Sequence, residues 1–309
     1  MSAVQDAGFS DRVAGVLVGT AAGDALGAGY EFTRPAPDAV IDMIGGGVFD
    51  WAPGEWTDDT SMALAVALAA THGPGIDLDA VAAGFVRWYD SNPPDIGNQT
   101  RLVLSERPGS ARAMQARAMA LTGRTGGNGS LMRTAPVALA YLGDAEECVA
   151  AAGRIGLLTH HDEHAVEACK LWTYAVRHAV LEADFDGVRK YVSRSSHAEF
   201  WTDRLDEAER GTPDDFANNG WVVHALQTAW WAITTTESSG PEHLPLALAA
   251  CVRAGNDTDT TAAIAGGLLG ARWGASAVPA PWRAILHGYP GLTGADLPDL
   301  ALRIATSCR

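Results

Sequence analysis

Between residues 10 and 274, apolar side chains recur every three to four positions, the spacing that gathers them on one face of an α-helix. SDRVAGVLVGTAAGDALG (10–27) puts Val13, Val16, Leu17, Thr20 and Ala21 on such a face, with Ser10 expected as its cap. DDTSMALAVALAATHG (58–73) opens on acids and closes on Gly73, as a helix should. The same period runs through 78–91, 109–123, 130–143, 144–160, 162–184, 218–236, 244–255 and 259–274. Strand signals, meaning alternating Val, Ile, Tyr and Thr between turn residues, are nearly absent. The pattern predicts an all-α fold, a single compact orthogonal multi-helix domain over residues 1–309, whose abundant alanine lets helices pack closely. PPDIGN (93–98), GRTGGNG (123–129) and TPDDFANN (212–219) read as loops inside it. The stretch 185–215 is the least regular and reads as an insertion.

Charge narrows the partners. Lys and Arg number 22 against 37 Asp and Glu, a formal charge of −15, and no basic run stands out. A phosphate backbone would be repelled by most of this surface, so nucleic acid is not an expected partner. The four cysteines are scattered without a C-x-x-C pair, which fits neither a disulfide framework nor a zinc site. MSAVQDAGFSDRVAG has no basic segment leading into a continuous apolar stretch, so no secretion signal is expected. Apolar stretches such as MALAVALAA (62–70) are too short to span a bilayer. A cytoplasmic protein without membrane contact is expected.

Two acidic turns stand out against this background. GNDTDTTAAIAGGLLGA (255–271) crowds Asp257, Thr258, Asp259, Thr260 and Thr261 into the start of an apolar helix, and WTDDTSMAL (56–64) does the same with Thr57, Asp58 and Asp59. One Asp per turn would satisfy free backbone N–H groups and the helix dipole. A second carboxylate repels the first unless something positive lies between them. Either the two helices are generously capped, or the turns meet and hold hard cations such as Mg²⁺ or Mn²⁺, for which carboxylates and hydroxyls are suited. Four aspartates from two turns are enough for a pair of metals about 3.5–4 Å apart. GTAAGDALGAGYEF (19–32) adds two more acids. Asp24 is expected to bond backbone groups where helices pack closely, and Glu31, after Gly27 and Gly29, to be a movable acid.

Together, GDALG followed by an acid, WTDDTSMAL, GNGSLMRTAPVAL, an LTH segment and GNDTDTTAAIAGGLLGA resemble the ADP-ribosylglycohydrolase family, in order, over residues 10–275. The resemblance implies an all-α fold with a binuclear Mg²⁺ or Mn²⁺ centre in a central cleft. It implies hydrolytic release of ADP-ribose from an ADP-ribosylated protein, most commonly from arginine, or from a small ADP-ribose conjugate. Thr57, Asp58 and Asp59 would ligate the metals from one side, and Asp257, Asp259 and Thr260 from the other. Glu31 matches the family's mobile acid, and Asp95 in PPDIGNQT (93–100) an aspartate set against the substrate ribose; either would be the acid/base partner. Gly126, Gly127, Asn128, Gly129 and Ser130 match the loop cradling diphosphate and ribose, a role glycine N–H groups ahead of a helix can fill. His160 matches a histidine lining the cleft; His161 and His164 are unassigned, although His160 and His164 have the spacing of one helix face. Tyr30, Phe32 and Trp56 are the aromatic candidates for stacking on adenine.

Rival readings are weaker. A class I terpene synthase would need a third acid after Asp59 and a Glu in the second motif, and a D-x-D-T phosphotransferase a strand before Asp257. Hydrolysis of O-linked ADP-ribose, on serine or as O-acetyl-ADP-ribose, and non-catalytic ADP-ribose binding stay open.

Overall fold

The computed structural model describes residues 7–36 and 38–307. The chain begins with α1 (Ala7–Gly27), α2 (Asp58–Ala69), α3 (Leu78–Asp90), α4 (Asn98–Leu104) and α5 (Ala111–Met119). Then come α6 (Ala135–Ala140), α7 (Ala145–Gly156), α8 (Glu163–Glu182), α9 (Gly187–Val192) and α10 (Ala198–Arg210). α11 (Val222–Thr235), α12 (His243–Ala254), α13 (Thr258–Trp273), α14 (Ala280–Ile285) and α15 (Leu297–Ser307) complete the helices. Among the described residues the strands are a single short antiparallel pair, β1 (His287–Gly288) and β2 (Leu292–Thr293). The fold is all-α, as expected.

One helix organises the rest. Every residue of α13 from Thr258 to Ala271 is buried, the condition of a helix apolar on all sides. α1, α8, α11 and α12 surround it, and Trp172 of α8 donates its indole N–H to Ile264 O at 2.9 Å. α1 runs antiparallel to α13 with backbones in contact. Gly15, Gly19, Gly23 and Gly27, one per turn of α1, face Gly270, Gly266, Ala262 and Asp259 in succession. A Cβ at any of the first three would overlap the facing carbonyl oxygen. Glycine inside a helix costs about 0.5–1 kcal/mol relative to alanine, a penalty the close packing offsets along this seam. By composition Gly8–Tyr30 is long enough and apolar enough to cross a bilayer, contrary to the expectation that the apolar stretches are too short. Its apolar window is 94% buried inside the protein, as a core helix should be.

Other differences have local causes. α1 is already helical at Ala7, so Ser10 lies inside it and does not cap it. α2 ends at Ala69, before Gly73. The stretch 130–143 is not one helix: a 3₁₀ turn covers Asn128–Ser130, and α6 starts only at Ala135, with Pro136 in its first turn where a missing N–H is tolerated. The segment 185–215 contains α9 and α10, and Trp201, Leu205 and Ala208 join the core. The short SRSSH break between the two helices hides their periodicity. Of the cysteines, Cys148, Cys169 and Cys251 are buried free thiols, and Cys308 lies outside the described residues.

The seam can be tested directly. Gly19→Ala and Gly266→Ala should each destabilise the protein by about 3 kcal/mol in urea unfolding, because overpacking against a backbone oxygen exceeds the gain in helix propensity. Gly143→Ala, where the added carbon meets open space, should change stability by less than about 0.5 kcal/mol.

Candidate active site

At its lower end the seam joins three helix termini. Gly27 abuts Asp259 Cα, and Thr258 Oγ1 donates to Gly27 O at 2.8 Å, locking the end of α1 to the start of α13. One turn earlier, Asp24 reaches the start of α2. Its Oδ1 accepts from Thr57 N at 2.9 Å and its Oδ2 from Thr60 N at 2.8 Å. α2 is therefore capped by a carboxylate of another helix, which is the backbone role expected for Asp24. Thr57 and Asp257 occupy the N-cap positions of α2 and α13, and neither caps its helix through its own side chain. Capping does not account for the surplus acids.

The two acidic turns meet. Asp59 Oδ2 accepts from Thr57 Oγ1 at 3.1 Å and from Thr260 Oγ1 at 3.3 Å, although Asp59 and Thr260 are 201 positions apart. Carboxylate oxygens of Asp24, Asp59 and Asp259 lie within 4.8 Å of one another, and so do those of Glu31, Asp95 and Asp259. Asp259 belongs to both groups. Each group could hold a metal ion, and an oxygen-only donor set suits a hard divalent cation.

Burial pushes the carboxyls of this group upward, and neighbouring acids push several of them further. Glu31 rises to about 9 through burial first, then Asp95, Asp257, Asp58 and Asp24. Asp95 rises to about 6 through burial and Asp257, with the Ile96 N–H and Arg101 pulling back. Asp24 reaches about 6 through burial, against its bonds to Thr57 and Thr60. Asp58, Asp59 and Asp259 are held well above the ordinary carboxylate range by burial first and then by neighbouring acids, Asp95 foremost for Asp58, Asp24 for Asp59 and Asp59 for Asp259, and Asp257 is raised by burial against its bond from Asn128. Glu31 Oε2 and Asp59 Oδ1 are buried without a hydrogen-bond partner among the described residues. A buried polar atom left so costs roughly 1–3 kcal/mol.

Above this group opens a cleft of about 970 Å³. Glu31, Asp58, Asp95, Asp257 and Thr260 reach its surface, while Thr57, Asp59 and Asp259 lie buried behind them. Gly126, Gly127, Asn128 and Gly129 form another wall. Asn128 ties that wall to the acids, its Nδ2 donating to Asp257 Oδ2 at 2.7 Å and to Asn219 O at 2.9 Å. Ser130 is a correction: its side chain is fully buried, faces Cys169, and does not line the cleft. A 3₁₀ turn rotates successive side chains by about 120°, so the residue two beyond Asn128 points into the core.

Sequence reasoning missed Asn219. Its Nδ2 donates to Gly255 O at 2.9 Å and its Oδ1 accepts from Asp257 N at 3.1 Å, which shapes the loop carrying Asp257. It sits in the turn-forming run FANNGW, whose composition gives no sign of a partner at residue 257. Glu31 was expected in loose backbone. Instead, Phe32 N donates to Asn256 O at 2.6 Å and Asn256 N to Thr33 O at 3.1 Å, so the chain after Glu31 is fastened to the loop before Asp257. His160 lines the cleft, its ring against Gly127 and Gly129. It precedes α8, so it shares no helix face with His164, which packs at a tilt on Phe200 with ring centroids 4.6 Å apart. Of the aromatic candidates only Phe32 lines the cleft; Tyr30 and Trp56 are buried, the latter donating to Tyr289 O at 3.0 Å. Phe49 and Trp221 line it as well and carried no sequence signal.

Comparison with known proteins places the chain among relatives. The chain is 33% identical over 279 residues to an ADP-ribosylarginine hydrolase of Pseudomonas putida, covering 88% of this chain and 73% of the relative. It is 32% identical over 284 residues to the ADP-ribosyl-[dinitrogen reductase] glycohydrolase of Rhodospirillum rubrum, covering 88% and 89%. A solved ADP-ribosylglycohydrolase-related protein complex superposes with a TM-score of 0.77 at 28% identity, over 97% of this chain and 99% of that one. The model of the ADP-ribosylglycohydrolase family matches residues 5–309, and the chain belongs to that family.

Proposed function

We propose that this protein hydrolyses the N-glycosidic bond of ADP-ribosylarginine on proteins and releases ADP-ribose, using two Mg²⁺ or Mn²⁺ ions. The observation that carries the proposal is the convergence of residues 57–59 and 257–260 beneath the cleft. Arginine as the linkage rests on the relatives of Pseudomonas putida and Rhodospirillum rubrum, of which the first acts on ADP-ribosylarginine and the second on modified dinitrogen reductase.

The donor set fits divalent cations. Thr57, Asp58, Asp59, Asp257, Asp259 and Thr260 offer only oxygen, and Asp59 Oδ1 is buried without a partner among the described residues. When bound, the ions would neutralise the clustered carboxylates and supply Lewis-acid stabilisation of charge at the ribose. The remaining work falls to the chain's own residues. Asn128 orients Asp257 through the 2.7 Å bond. Asp24 holds the first turn of α2 in place and so aims Asp58 and Asp59. The glycine wall at 126–129 leaves room for a diphosphate close to the backbone. Asp95 and Glu31, the cleft carboxyls that cluster with Asp259, would exchange a proton with the scissile bond, whereas Asp162, also at the cleft, caps α8 through Ala165 N.

Asp58→Asn and Asp259→Asn should lower release of ADP-ribose from an arginine-ADP-ribosylated peptide by about two orders of magnitude or more, the scale of lost metal-assisted charge stabilisation. Turnover near the wild-type rate in either variant would contradict the assignment, and a parallel serine-modified peptide tests the linkage.

The raised carboxyls also set a pH dependence of folding. A carboxyl whose folded pKa lies above its unfolded value binds more protons in the native state, so its contribution to stability is lost as pH rises. In EDTA the melting temperature should therefore fall between about pH 4, the unfolded carboxylate range, and the values near 6 for Asp24 and Asp95 and near 9 for Glu31. Added Mg²⁺ or Mn²⁺ should flatten that fall in thermal melts.

A further inference from the structure

Behind the cleft, a buried chain of three side chains ends on His160. Arg133 is fully buried, with its guanidinium 4.5 Å from the centre of the Phe85 ring. Its Nη2 donates to Ile155 O at 3.2 Å and to Thr159 Oγ1 at 2.7 Å. Thr159 Oγ1 in turn lies 2.7 Å from His160 Nδ1.

Donor counting fixes the direction of the last bond. A guanidinium has no acceptor, so the threonine oxygen must accept from Arg133. The single hydroxyl proton is then free for Nδ1. If Nδ1 carried a proton and donated instead, the hydroxyl proton would need another acceptor. Thr159 is fully buried, and its Oγ1 makes no further hydrogen bond among the described residues. The proton would be left unpaired in the interior, which is costly. Nδ1 is therefore the acceptor, and the ring proton sits on Nε2. That atom faces the cleft wall, where a Cβ at Gly127 would lie 3.3 Å from it and one at Gly129 3.5 Å. Burial and the nearby Arg133 cation push the His160 imidazolium down to about 3, so the ring is neutral.

We propose that Arg133 and Thr159 are positioning residues that hold His160 as the neutral Nε2–H tautomer, offering one fixed N–H donor to an acceptor oxygen of the bound ADP-ribose. The identity of that ligand rests on the function proposed above; the tautomer does not. The relay keeps a donor, and never a competing lone pair, turned toward the 126–129 segment.

Long-range ¹H–¹⁵N correlation on histidine-labelled, Mg²⁺-loaded protein reads the tautomer without substrate. Nδ1 should show an imine-type shift and Nε2 a pyrrole-type shift; the reverse pattern in the wild type overturns the proposal. Thr159→Val should mix or reverse the pattern and weaken ADP-ribose binding by about tenfold, the scale of one hydrogen bond to a charged group. Thr159→Ser, which keeps the hydroxyl, should restore both readouts. Wild-type-like tautomer and affinity in Thr159→Val would overturn the relay. If the wild type shows the expected tautomer yet binds no ADP-ribose, the donor role fails together with the proposed substrate, while the relay itself stands on the spectrum.

Discussion

Backbone contact between α1 and α13 is the constraint on which the site depends. Helix pairs with ordinary side chains at their interface sit 8–10 Å apart; glycine at every fourth position lets these two approach until carbonyl oxygens occupy the space a Cβ would need. The register that results is stiff, because a shift along either helix would drive side chains into those oxygens. It sets the end of α1 against the first turn of α13, and from there Asp24 reaches across to cap α2. Three helix termini, brought from positions near 27, 57 and 258, are fixed against one another, the ends of α1 and α13 by main-chain packing and the start of α2 by the Asp24 carboxylate.

That division of labour matters because the acids themselves oppose folding. Asp58, Asp59, Asp257, Asp259, Glu31 and Asp95 are gathered where water is scarce and raise one another's affinity for protons. The scaffold must hold them in register against this repulsion. Asn128 and Asn219 help by bonding the Asp257 side chain and loop, and the core beneath is continuous and rich in tryptophan, with Trp56, Trp88, Trp172 and Trp201 fully buried.

Much of this was legible in the sequence, for reasons that can be stated. Helical periodicity survives in long, strongly apolar segments, so α1, α8, α11 and α13 were readable, while the short α4 and α9 and the charge-rich α10 were not. Paired acids at two helix starts pointed to a shared centre because capping needs only one of them. The Gly15–Gly19–Gly23–Gly27 spacing was visible too, but its meaning lay in a partner helix more than two hundred residues away. Ser130 was grouped with the glycine loop by its motif, which does not show that the 3₁₀ turn carries its side chain into the core. Asn219 and Trp221 carried no local signal, since their roles come entirely from what the fold sets beside them.

The pair of backbone bonds joining Phe32 and Thr33 to Asn256 has a wider implication. Glu31 is fastened next to Asp257 by the main chain, so the acid at the mouth of the site and one of the residues gripping its floor are coupled mechanically. A shift of the main chain beside Glu31 would therefore pull on the loop that positions Asp257. The two acids thereby share one stretch of main chain, and loosening one end of it loosens the other.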